Sequence, residues 1–281
     1  MQKMRIPNLA SLISDCWNRA ELALREQIRQ ELPDINEETV TVLLSGKLRV
    51  EFERVSDKGA VADAFQRDLC LSFPSIDHAT LSSKIARRLI ATVHFHQREV
   101  EKHTGGDFGI VFRRPVVQRA VNSGSKLTIV EDRRQGLLCQ AKIFRRDNRW
   151  AKLSNSQLNV IRDRLGYFAL ALYSYADQSG ERRELDPIRW QVTRDFELNA
   201  VKSWLRSGSF PLPVDSQCVI QQLAQGEIGT DDENTIANTI APQMRPAFEI
   251  TVGWRDGDAP GREIQLSRRI AQVQLQQVQN Y

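Results

Sequence analysis

From Asn8 to Glu31, apolar residues return every three or four positions: Leu9, Leu12, Ile13, Cys16, Trp17, Ala20, Leu24 and Ile28. That period predicts an amphipathic helix, ended by Pro33. A second helix is predicted from Asn36, a favourable N-cap, through Val40, Leu43, Leu44, Leu48 and Val55. Glu37 and Glu38 fall in its first turn, where the helix dipole favours anions. Asp57 to Phe73 predicts a third helix, with Val61, Ala64, Phe65 and Leu69 as its stripe, and Thr80 to Lys102 a fourth, through Leu81, Ile85, Leu89, Val93 and Val100. The first hundred residues thus read as helical.

The pattern changes at Gly105. Asp107 to Phe112 reads as a short strand, Val116 to Ala120 fits either type, and Asn122-Ser123-Gly124-Ser125 is a turn. Lys126 to Glu131 and Gly136 to Phe144 read as two strands of a hairpin joined by the polar Asp132 to Gln135. Ser154 to Tyr175 predicts a helix, capped by Ser154 or Ser156, with Leu158, Ile161, Leu165, Phe168, Ala169 and Leu172 buried. A strand at Ile188 to Thr193, a short helix at Val201 to Leu205, a proline-rich loop at Phe210 to Pro213 and a helix at Ser216 to Gln225 follow. Strands at Ala247 to Trp254 and Gly261 to Leu266 flank a turn at Asp256-Gly257-Asp258, before a glutamine-rich tail from Ser267 that reads as a frayed helix or a partner-binding arm.

The 281 residues, 41% of them hydrophobic, suffice for a sizeable core. Element order suggests an N-terminal helix (1–35), an α/β core with a mixed sheet (36–195) and a C-terminal α+β extension (196–281). No apolar run approaches the ~20 residues that span a bilayer, and the N-terminus lacks a signal-peptide core. The expectation is a soluble, cytoplasmic protein with no membrane partner. Cys16, Cys70, Cys139 and Cys218 are scattered without zinc spacing and have apolar neighbours, so buried reduced thiols are expected. A net charge of +4 permits a polyanionic partner without demanding one. The clusters Arg113-Arg114, Arg133-Arg134 and Arg145-Arg146 with Arg149 lie in or beside the central stretch, as a solvated face or a nucleic-acid contact would require.

Within that stretch, strand alternation puts Gln140 and Lys142 on one face with Leu138 and Phe144, and Cys139, Ala141 and Ile143 on the other. A strand this apolar is expected to be covered on both faces, and an unpaired lysine there is strongly unfavourable. Lys142 therefore needs an anion, either Asp107 from the same sheet or a phosphate. A carboxylate with an amide oxygen suits Mg2+, and a neighbouring lysine suits charge developing on a phosphate. Glu101 or Glu38 would complete the site from a helix. The competing structural roles are a turn for Asp107, a core amide for Gln140 and a snorkelling side chain for Lys142. His94 and His96, two apart on the predicted fourth helix, would not share a face.

Gly106-Asp107, followed some thirty residues later by Gln140-Ala141-Lys142 in a strand, resembles the PD-(D/E)XK nuclease superfamily. The Gln-x-Lys form is similar to the variant in Mrr-type restriction enzymes and in nuclease domains of bacterial anti-phage systems. The resemblance implies a restriction-endonuclease-like α/β fold and Mg2+- or Mn2+-dependent cleavage of DNA, with RNA as the other substrate. It implies Asp107, Gln140 and Glu101 as metal ligands, Lys142 as the catalytic lysine, and Glu38 as the other candidate for the helix glutamate. It further implies a defence effector working with a partner ATPase or sensor subunit, or as a homo-oligomer. The chain departs from the commonest pattern in having Gln at 140 and four predicted helices before the first clear strand. A catalytically silent nuclease fold that binds nucleic acid or serves as a scaffold is the alternative. Asp107-Phe108-Gly109 also spells a kinase motif, but the other kinase motifs are missing. Gly105-Gly106-Asp107-Phe108 is similar to the GGDEF motif of nucleotide cyclases, with Phe108 where a second acid is needed.

Overall fold

The computed structural model describes residues 2–3, 6–31, 36–57, 60–72, 89–96, 98–119, 127–144, 150–165, 167–178, 182–194, 198–242 and 248–252. A two-residue strand, β1 (Gln2–Lys3), leads into three helices, α1 (Pro7–Glu31), α2 (Glu37–Asp57) and α3 (Ala60–Ser72). Asn36 caps α2, its Oδ1 accepting from the Thr39 N–H at 2.8 Å. Asp68 of α3 is fully buried and accepts the Asn8 and Leu9 N–H groups at the start of α1, so two of that helix's free donors find a carboxylate.

The predicted fourth helix is corrected. Leu89–Phe95 is a strand, β2, and among the described residues of that segment only Arg98–Thr104 is helical, as α4. Leu89 and Val93 fit a helical period, but β2 gains neighbours on both edges, which a helix there would forgo. Residues 73–88 lie outside the described set.

The predicted hairpin at 126–144 is also corrected. Leu127–Ile143 is one continuous strand, β4, and the strand it folds back on is β3 (Phe108–Arg119), which takes in the ambiguous Val116 and Val117. Asp132 to Gln135 is not a turn but part of the ladder, paired with Phe112 to Pro115. Gly136 does not start a strand. It lets another backbone come close: its N–H and C=O exchange 2.8 Å hydrogen bonds with Thr230, and a Cβ there would meet Ile236 and Ile240 at about 3.0 Å. The same register sets Arg113 opposite Arg134 and Arg114 opposite Arg133. Arg134 forms an ion pair with Glu233. The loop at 145–149, with its three arginines, and the turn at 122–125 fall outside the described residues.

The predicted helix from Ser154 to Tyr175 splits in two. Asn155–Arg164 forms α5, with Ser154 and Gln157 making a reciprocal capping box. Tyr167–Tyr173 is a strand, β5, whose Phe168 to Tyr173 are all buried. A short, wholly apolar run fits a covered strand as well as a helix turn. β5 lies parallel to β4, and α5 is the crossover that a parallel neighbour requires. A small hairpin, β6 (Tyr175–Gln178) and β7 (Arg182–Leu185), precedes β8 (Arg189–Arg194), α6 (Leu198–Ser207), β9 (Val214–Asp215) and α7 (Ser216–Gln225). A short helix, α8 (Glu233–Thr235), runs into a π-helical turn at Ile236–Ile240, and β10 (Phe248–Val252) is the last described element. The second strand predicted near 261–266 and the tail lie outside the described residues.

The chain is thus a mixed α/β fold around one eight-stranded sheet, ordered β10-β2-β3-β4-β5-β8-β9, with β1 also paired to β3. Among the described strands only the β4–β5 pairing is parallel. Alternation sorts the core into two layers. Leu137, Cys139, Ala141, Ile143, Ala169, Ala171 and Tyr173 face α1, α2 and α7. Leu138, Leu170 and Leu172 face α5, α6 and the π-helical turn. Cys16 and Cys139 are buried as expected, but Cys70 is exposed and Cys218 half-buried, because α3 and α7 turn those positions outward. No described helix is long and apolar enough to cross a membrane.

Glu21 of α1 ties three elements together. It is buried and accepts a hydrogen bond from Ser216 Oγ, which in turn accepts one from Trp190 Nε1 at 2.6 Å. Burial pushes its carboxyl up to about 7, against the hydrogen bonds that favour the charged form. The folded state therefore holds the proton more tightly than the unfolded chain. Its stabilising contribution is complete below pH 4.5 and is lost as pH rises through 7. Denaturant unfolding should show wild type losing on the order of 2–3 kcal/mol relative to Glu21→Gln between pH 4.5 and 8. Parallel pH profiles would contradict this.

Candidate active site

The turn before β3 is built by what surrounds it. Gly105 has φ 75°, in the left-handed region, and a Cβ on Gly106 would lie 2.5 Å from Leu138. His96, just past β2, pins this turn. Its Nδ1 lies 2.9 Å from Thr104 Oγ1 and 2.8 Å from Gly106 O, its Nε2 lies 3.0 Å from Ile240 O, and its backbone N–H donates to Asp107 O at 2.8 Å. Burial lowers the imidazole pKa, opposed by those two carbonyls. Neither histidine is helical, against the expectation from spacing. His94 belongs to β2, and His96 is a scaffold residue of the turn.

So held, Asp107 extends across to β4. Its Oδ2 accepts from Gln140 Nε2 at 2.5 Å and from the Ala141 N–H at 2.6 Å. Lys142, only 3% exposed, donates through Nζ to Glu37 Oε1 at 3.1 Å. The anion that the buried lysine meets is therefore the first residue of α2. Glu38 is one step further round the helix, and its side chain lies outside the described set. Val40, Thr41, Leu44 and Leu48, all buried, stand three, four, seven and eleven residues after Glu37, on one stripe. Glu101, in α4, is half-buried and accepts from Gln157 Nε2 of α5 at 2.7 Å. The Gln157 Oε1 in turn accepts from the Ser154 N–H, so the helix cap also orients Glu101. His103 is exposed.

The charges are coupled. Asp107 is pushed up to about 7, chiefly by burial; Lys142 opposes the rise, Glu37 and Glu101 add to it, and the Ala141 N–H opposes it. Three acids and one lysine thus share a region, and the charges of Glu37 and Glu101 add to the rise at Asp107. Two buried oxygens there, Glu37 Oε2 and Gln140 Oε1, have no hydrogen-bond partner. Buried polar atoms are seldom left so, and hard oxygen atoms without a donor beside a buried carboxylate suit a divalent cation. The donor set of carboxylate, carboxylate and amide oxygen fits Mg2+ or Mn2+ and does not resemble a zinc site. Phe108, at the second acidic position of a cyclase motif, is buried with its ring against Trp190.

No protein-family model matches the chain, and no curated protein matches it.

If Glu37 is what holds Lys142, removing it strands a buried cation. Glu37→Ala should cost about 1–3 kcal/mol in denaturant unfolding, with Glu38→Ala costing less than half as much. Adding Lys142→Met to Glu37→Ala should restore most of the loss, since the stranded charge goes with it. Equal costs at positions 37 and 38, or no recovery in the double variant, would contradict the pairing.

Proposed function

We propose that this protein is a metal-dependent nuclease that hydrolyses phosphodiester bonds of DNA, in the manner of the PD-(D/E)XK superfamily. The observation that carries the reading is the meeting of Asp107, in the turn that opens β3, with Gln140 on the adjacent strand β4, with Lys142 on the same face of β4 as Gln140 and Glu37 arriving from a helix. Two of these four residues keep a buried oxygen without a partner. Asp107, Glu37 and the amide oxygen of Gln140 would hold a Mg2+ or Mn2+ ion. Such an ion polarises the phosphate and makes its bound water more acidic.

The remaining work belongs to the side chains. Lys142, fixed by Glu37, places an ammonium where negative charge grows on the phosphoryl oxygens, in a water-poor setting that strengthens it. Glu101, fixed by Gln157, adds a carboxylate within electrostatic reach of Asp107. Hydrolysis forms one bond from a water oxygen to phosphorus and breaks one bridging P–O bond, and a proton from solvent goes to the departing alcohol. A net charge of +4 permits a polyanionic substrate, and the register brings two arginine positions of β3 opposite two of β4. An anti-phage effector role, with activation by a partner ATPase or by self-association, would suit such an enzyme.

Plasmid DNA should be nicked in Mg2+ or Mn2+ and left intact in EDTA. Asp107→Ala and Lys142→Ala should lose at least about 100-fold in rate, while His94→Ala keeps it. Nicking in EDTA, or nicking that survives Lys142→Ala, would contradict the reading. A metal-independent band shift without cleavage would make the protein a silent nuclease fold.

Binding of the ion has its own readout. Asp107 must release its proton, so the rise in melting temperature on adding Mg2+ should be larger at pH 8 than at pH 6 and absent in Asp107→Asn. A Mg2+ shift that is equal at both pH values would contradict the assignment of Asp107.

A further inference from the structure

Beyond Lys142 the catalytic strand does not end in a polar rim. Phe144 is the next residue on the face that carries Gln140 and Lys142, about 7 Å further along. Its backbone bridges to Trp150, and the two rings lie 5.3 Å apart, tilted by 60°. Phe210, from the loop after α6, meets Trp150 edge-on at 5.4 Å. Gly208, with φ 72°, lets that loop turn beside the Trp150 indole. All three rings are half-buried and keep part of their surface in water, and Trp150 and Phe210 pack on the second core layer. Next to Phe210, Leu212 is 79% exposed between two prolines, with its N–H fixed to Gln191 Oε1 at 3.3 Å. Exposed Lys152 and Arg206 stand two residues along the chain from Trp150 and Gly208.

A row of half-exposed rings held at fixed angles, continuous with a strand face that carries a buried lysine and with exposed cations two residues away along the chain, matches the demands of unpaired nucleotides. Every base has a face to stack, and the cations meet the phosphates. A fully paired duplex keeps its base faces covered and would leave this apolar surface in water. We propose that Phe144, Trp150 and Phe210 form a stacking platform for single-stranded nucleic acid leading into the Asp107–Lys142 site, so that the preferred substrate presents unpaired bases there. The inference rests on the nuclease reading for its choice of ligand, but its test does not need cleavage.

The test is fluorescence anisotropy of the full chain in EDTA, with a labelled oligo(dT) of about 20 nucleotides against a fully paired hairpin. Oligo(dT) should bind at least about tenfold more tightly than the hairpin. Trp150→Leu and Phe210→Leu should each weaken oligo(dT) binding on the order of tenfold without changing affinity for the hairpin, and Trp150→Phe should retain most of it. Leu212→Ser, at an exposed position with no packing to lose, should weaken oligo(dT) severalfold with an unchanged melting temperature. Equal or tighter hairpin binding, unchanged oligo(dT) affinity in folded ring variants, or no binding to either probe would overturn the platform. Ring-dependent oligo(dT) binding without cleavage of any strand in Mg2+ or Mn2+ would reject the nuclease reading and leave the platform standing. Metal-dependent duplex cleavage indifferent to the rings would do the reverse.

Discussion

A buried ammonium must find an anion, and in this fold that requirement joins two layers. Lys142 sits on the sheet face that packs against α5, α6 and the π-helical turn, yet its partner, Glu37, opens a helix whose apolar stripe packs on the other face. The ion pair fixes where α2 must begin relative to β4. Asn36 as N-cap, the stripe from Val40 to Phe52 and the Thr41–Tyr173 hydroxyl contact at 3.1 Å then hold the helix to that position. A neutral residue at 142 would free α2 from this constraint and would pack better, which is why its cost reads as functional.

The second constraint is the crowding of acids. Asp107 is drawn out of water, with Glu37 and Glu101 adding negative charge and one lysine opposing them. Folded proteins seldom leave two buried oxygens without donors beside a carboxyl whose pKa has climbed to about 7. A divalent cation would offset all three features together. The supports of this arrangement are structural: His96 ties the Gly105–Gly106 turn to Ile240, and the Ser154 capping box reaches Glu101 through Gln157.

Much of this is legible in the chain. The helices α1 and α2 follow from their apolar period, α2 with Asn36 as its cap, helices at the places of α6 and α7 are read from the chain, and the facing of Gln140 and Lys142 follows from alternation alone. What fails has a common cause. Leu89 to Phe95 and Tyr167 to Tyr173 are strands paired on both edges, and their apolar residues also satisfy a helical period. Asp132 to Gln135 reads as a turn, with Gly136 opening a strand, because Arg134, Gln135 and Gly136 serve contacts from 228–240, a segment almost a hundred residues away. Glu38 shares the first turn of α2 with Glu37, and only the buried stripe further along the helix separates the two. His96 is hidden from a helical reading because the element it follows is a strand.

The central claim is that Asp107, Gln140 and Glu37 share one cation beside Lys142. An anomalous difference map from Mn2+-soaked crystals tests it most directly. The account predicts a single strong peak within about 2.5 Å of an oxygen from each of the three residues, lost in Asp107→Ala. Ordered side chains at 37, 107 and 140 with no peak among them at saturating Mn2+ would contradict it.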